Sequence, residues 1–98
     1  MRHWHNESTE QLCAALLYLE TMEECCAFLE YICTIKEFLD LSQRLEVARL
    51  LQSGASYTAI TKATGASTAT ISRVSKCCEY GSGGYRTVIG RLNREEPK

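Results

Sequence analysis

Proline is nearly missing from this chain, which has one, Pro97, near its end. Runs of β-branched residues are also scarce, and together these absences point away from β architecture and towards an all-α fold. No Cys-x-x-Cys spacing occurs, although there are six cysteines: Cys13, Cys25, Cys26, Cys33, Cys77 and Cys78. Neighbouring cysteines on a helix point about 100° apart, so neither adjacent pair holds one metal locally, and no metal or other cofactor is expected. The start, MRHWHNESTEQ, lacks the apolar core of a secretory signal. The thiols are therefore expected to be reduced, buried as small hydrophobes, in a cytoplasmic protein. His3 and His5 flank Trp4 in what reads as a frayed terminus rather than a metal site. The longest apolar run, Leu12 to Leu19, is far too short to span a membrane. No nucleophile–base pair, metal-ligand spacing or phosphate loop points to an enzyme.

What is there is charge asymmetry. The net charge is −1, but residues 1–40 hold two Lys/Arg against eight acids and residues 41–98 hold nine against four. A basic half of this kind suits a polyanionic partner. Ninety-eight residues make one domain. A chain of this length buries roughly 65% of its unfolded surface, so a core shared with a second copy would stabilise it.

Three helix starts carry the same signal. Ser8-x-x-Gln11, Thr21-x-x-Glu24 and Thr34-x-x-Glu37 read as capping boxes and predict helices over 9–20, 22–32 and 35–40. The first of these helices contains Leu12–Leu19 and is apolar on every side. Such a helix must be buried all round, which predicts burial against a second subunit in an interlocked dimer. Residues 42–53 read as a further helix, with Leu41, Leu45, Ala48 and Leu51 as its stripe, Val47 and Leu50 broadening it, and Gly54 as a left-handed cap.

Residues 56–78 carry the functional signal. Tyr57–Thr64 and Thr68–Cys78 read as two short helices joined at Gly65-Ala66-Ser67, the layout of a DNA-binding helix-turn-helix. Ile60, Ala63 and Ala66 are expected to pack inward, as are Ile71, Val74 and Cys78 on the second helix. Ser67 would cap that helix. The outward face carries Thr68, Ala69, Ser72, Arg73 and Lys76, whose hydroxyls, methyl and cations suit base edges and phosphates. Residues 81–84 form a flexible break, 85–94 a closing helix with Val88, Ile89 and Leu92 as contacts, and NREEPK a tail.

The stretches QRLEVARLLQSG at 43–54, TGASTATISRVSKC at 64–77 and YGSGGY at 80–85, with YICT at 31–34, resemble the Trp repressor superfamily. They are most similar to the TrpR-related YerC/YecD-type proteins of Gram-positive bacteria. The resemblance implies an intertwined, all-α homodimer of about six short helices per chain. Residues 8–53 would supply the dimerisation helices, 56–78 the helix-turn-helix and 85–94 the C-terminal helix. It also implies a repressor that binds double-stranded operator DNA. Carried over residue by residue, it assigns Thr68, Ala69, Thr70 and Ser72 to bases and Lys62 to phosphate, beside Ser67, Arg73 and Lys76 of the same DNA-binding set. It matches Thr34, Arg44, Arg73 and Cys77 to effector-pocket positions.

Two of the pocket positions depart from the tryptophan repressor pattern. Val74 stands where that pattern has glycine, and Cys77 where it has the serine that holds the ligand's amino group. The segment between Gly54 and Gly65 is also one residue shorter. A valine fills space that glycine leaves for a ring, and an ammonium without its polar partner is poorly satisfied. Tryptophan control is therefore not expected. An unidentified effector, or none, would take its place, and Arg44 and Arg73 read better as structural or phosphate-contacting cations than as a ligand clamp. The competing reading is a protein-interaction module that keeps the fold without the DNA activity.

Overall fold

In a computed structural model of the chain, residues 4–81 and 83–95 are described, without the side chains of Tyr80 and Glu95. Six helices follow one another: α1 (Glu7–Leu17), α2 (Met22–Ile32), α3 (Ile35–Gln52), α4 (Tyr57–Thr64), α5 (Thr68–Tyr80) and α6 (Gly84–Glu95). No strand occurs among the described residues. His3 and residues 96–98 of the expected tail lie outside them, as does Ser82 of the expected break.

Local chemistry sets the helix ends. Asn6, not Ser8, begins α1: its side chain accepts from the Thr9 N–H at 2.9 Å while the Thr9 hydroxyl accepts from the Asn6 N–H at 2.9 Å. Asparagine caps at least as well as serine, so the helix starts earlier than the expected 9–20; it also ends earlier, at Leu17. At α2, Thr21 accepts from the Glu24 N–H at 3.0 Å, and Glu24 reaches back to the N–H of Glu20 rather than of Thr21. Thr34 and Glu37 form the reciprocal box at 2.8 and 3.0 Å.

That box opens one helix of 18 residues, not two. The expected break at residue 41 is absent, because neither Leu41 nor Ser42 interrupts the backbone ladder as a glycine or proline would. The helix ends at Gly54, whose φ is +90°. There the Ala55 N–H bonds to the Leu50 carbonyl at 3.0 Å and the Gly54 N–H to that of Leu51 at 3.1 Å, a Schellman closure.

By internal contacts the chain divides within α3 into two units, Met1–Phe38 and Leu39–Lys98. In the first, neither α1 nor α2 holds a buried residue. Leu17 is 86% exposed and Tyr31 90%. In the second, Val47 and Ala48 of α3, Ile60 of α4, Ala66 of the turn, Ile71 and Val74 of α5 and Ile89 of α6 close one core. Leu45, Leu50, Leu51, Cys78 and Tyr85 pack around it.

Several expected burials differ. Of the three contacts expected on α6, Ile89 alone is buried, while Val88 and Leu92 are exposed. Ala63 is exposed, since α4 is only eight residues long and spends its inward face on Ile60, with Thr64 half-buried beside it. Leu41 is 45% exposed, outside the core stripe of α3. None of the six thiols is fully buried: Cys13, Cys26 and Cys77 are exposed, and Cys25, Cys33 and Cys78 half-buried. Four of them sit on α1 and α2 or just beyond, where there is no core to enter.

Candidate nucleic-acid interface

The α4–α5 corner is built from three local devices. Ser56 caps α4 by accepting from the Ala59 N–H at 3.1 Å. Gly65 takes the left-handed conformation at φ +77°, which reverses the chain at little steric cost. The Thr64 hydroxyl donates to the Ile60 carbonyl at 2.8 Å and accepts from the Ala66 N–H at 3.1 Å, pinning both sides of the turn. A fourth hydrogen bond ties the corner to its support. The Gln43 amide on α3 donates to the Thr64 carbonyl at 3.1 Å. Neither role stands out in the sequence. A threonine before the turn glycine is a usable signal for the first, but the second spans 21 residues and no local pattern carries it.

With the corner fixed, α5 separates two faces. Ile71 and Val74 are buried and Cys78 half-buried, so the expected core stripe is present. Thr68, Ala69, Arg73 and Lys76 are exposed on the other side, and Ser72 is half-buried at its margin. Ser67 caps the helix as expected, accepting from the Thr70 N–H at 3.1 Å. Its hydroxyl also donates to the Thr70 hydroxyl at 3.1 Å, and Thr70 is half-buried. The first turn thus offers Thr68 and Ala69 as its exposed side chains. Lys62, in the last turn of α4, is exposed as well.

The expected effector residues are divided between the two units. Thr34 caps α3 in the first unit, and Arg44, Arg73 and Cys77 belong to the second. Arg44 and Arg73 are both exposed. Val74 is 3% exposed, so its side chain is part of the core. Cys77 lines an open hollow of about 500 Å³ with Leu45, Gly81, Gly84, Tyr85 and Val88. It also borders a smaller one of about 270 Å³ with Gln52, Cys78, Gly83, Tyr85 and Arg86. Burial pushes the Cys78 thiol above its ordinary value, with Cys77 adding to the effect and the Arg86 charge opposing it. Burial likewise raises the Tyr85 phenol, again against the pull of a nearby cation, Arg44.

The geometry is that of a helix-turn-helix on a helical support, and comparison with known proteins agrees. The family model for the Trp repressor protein matches residues 7–93. The chain belongs to the Trp repressor family. That family is one of DNA-binding regulators rather than enzymes. YerC of Bacillus subtilis, itself uncharacterised, is 47% identical over 87 residues, which cover 89% of this chain and 84% of that protein. A candidate Trp repressor from Staphylococcus aureus, solved by crystallography, superposes with a TM-score of 0.88 at 40% identity, covering 94% of this chain and 92% of the other. A TrpR-like protein from Eubacterium eligens superposes at 0.87 with 47% identity, covering 94% and 95%. Among the described residues no helix is long and apolar enough to cross a membrane.

Proposed function

We propose that this member of the Trp repressor family is a transcriptional repressor that binds a specific double-stranded operator as a homodimer in the cytoplasm, without tryptophan as its corepressor. The observation that carries the DNA reading is the division of α5: Ile71 and Val74 are sealed into the core while Thr68, Ala69, Arg73 and Lys76 stay open to the outside. A helix fixed on one side and polar on the other can enter a major groove as a rigid unit. Thr68 and Ala69, at the leading end, read base edges, with Thr70 and Ser72 at the margin of that interface. Arg73, Lys76 and Lys62 neutralise phosphates, and Ser67 holds the leading turn in shape.

The dimer reading is supported by the first unit, where α1 and α2 carry large apolar side chains and no buried residue. A second copy of the chain is the occupant that the family provides for such a surface. Two recognition helices about 34 Å apart would then meet one face of the duplex.

Val74 supports the exclusion of tryptophan. Its side chain is packed against the core where the ligand's ring would need room, and Cys77 offers only a weak hydrogen-bonding group. Calorimetric titration should give no saturable heat with tryptophan; saturation at micromolar concentration would contradict this. For DNA, retardation of duplex at low salt should weaken steeply as salt rises. Replacing Arg73 and Lys76 by glutamine should reduce the slope of log affinity against log salt by about 0.9 for each phosphate no longer neutralised. A protein that does not retard duplex at low salt is not a DNA-binding regulator.

A further inference from the structure

The exposed side of α6 carries a second cationic surface outside the helix-turn-helix. Arg86, Arg91 and Arg94 are all exposed. At 100° per residue they fall within about 140° of the helix circumference, on the side opposite Tyr85, Ile89 and Leu92. Ile89 is buried and Tyr85 packs on the core, so the arginine side is the one turned to solvent. These three arginines form no ion pair among the described residues, whereas Arg49 on α3 is held by Glu46 at 3.2 Å.

The middle of this face is small and polar. Gly90 and Thr87 lie between the arginines and are exposed, and a Cβ built on Gly90 would meet nothing within 4 Å. Packing within the chain therefore gives no reason for a glycine in the interior of a helix, where it is among the poorest helix formers. Its useful property there is that a large partner can come close to the backbone. Cations flanking a small centre, with a hydroxyl beside them, match the chemistry that holds duplex phosphates without reading sequence. The helix also packs directly on α5.

We infer that Arg86, Arg91 and Arg94 of α6 form an additional binding surface for the phosphate backbone of duplex DNA, extending the electrostatic footprint beyond α4 and α5. This rests on the reading of the chain as a DNA-binding protein. The surface adds affinity and speed of association on any sequence, and it leaves base preference to Thr68 and Ala69.

The test compares the full chain with the triple variant Arg86→Gln, Arg91→Gln, Arg94→Gln by fluorescence anisotropy on a long random-sequence duplex over a range of salt. Thermal melts followed by circular dichroism check that both are folded, as exposed substitutions should allow. The salt slope is expected to fall by about 0.9 for each phosphate left without its arginine, with the bases selected from a random pool unchanged. A second variant, Gly90→Glu, puts a carboxylate at the centre of the face and should weaken low-salt binding at least as much as removing one arginine. An unchanged slope in the triple variant, with wild type still binding, overturns the inference alone. An unchanged slope accompanied by weaker self-association in sedimentation assigns the face to a second copy and also overturns it. Wild type that fails to bind duplex at low salt removes the underlying reading, and this inference with it.

Discussion

In the C-terminal unit, seven apolar residues from α3, the turn and α4 to α6 are sealed from water. In α1 and α2 none is, although Leu12, Leu16, Leu17, Met22, Tyr31 and Ile32 are all large and apolar. The difference separates two uses of apolar sequence. Where residues recur on one side of a helix, as Ile71 and Val74 do, the chain supplies its own cover. Where they run round the helix, as from Leu12 to Leu17, no single neighbour can cover them. Apolar surface of that extent on a small monomer marks an interaction site. The C-terminal unit thus carries α5 on a core of its own, whereas α1 and α2 carry apolar surface that is left open and that the proposed dimer would cover.

The sharpest way to break this contrast is to damage each region and compare the effects. Ile71→Ala empties a fully buried site in the platform and should lower unfolding free energy by about 2–5 kcal/mol in urea denaturation. Leu17→Glu places a charge on the N-terminal surface. It should leave α5 folded but shift sedimentation towards monomer, with a cost of about 2 kcal/mol or more at the interface. Dimers that persist unchanged would mean that Leu17 is not covered by a second copy. Ser67→Ala removes the α5 cap and should cost about 1 kcal/mol in the same denaturation, smaller than the core change.

The smallest expected effect is alkaline. Cys78 and Tyr85 both have raised values in the folded chain, chiefly through burial. The folded form then holds its protons more tightly than the unfolded one. Stability is full below the ordinary thiol value of 9.0 and falls as pH rises through the raised folded values. Cys78→Ser should flatten the first part of that decline in a pH series of urea midpoints.

Much of the platform is readable from residue type alone. Gly54 and Gly65 stand where a left-handed residue is needed, and both take positive φ. Thr34 and Glu37 form their box, and Ile71 and Val74 fall on the inner side of α5. Other features are not readable from residue type. Asn6 displaces Ser8 because two adequate caps lie two residues apart and the sequence does not rank them. The continuous α3 reads as two helices because polar residues near 40–42 imitate a helix end without breaking the backbone. Ala63 reads as buried because on so short a helix an alanine fits either side. In the site, the polar outward face of α5 is legible as a stripe. The Gln43 tie to the corner, across 21 residues, depends on atoms brought together only by the fold.

In the proposed function α5 reads DNA twice, once from each protomer. Selection of bound duplexes from a random pool by the full-length protein tests this most directly. A near-palindrome should be enriched, its half-sites about one helical turn apart, ~34 Å, with the preferred bases shifting when Thr68 or Ala69 is changed. A pool that retains protein at low salt yet enriches no palindrome would contradict it.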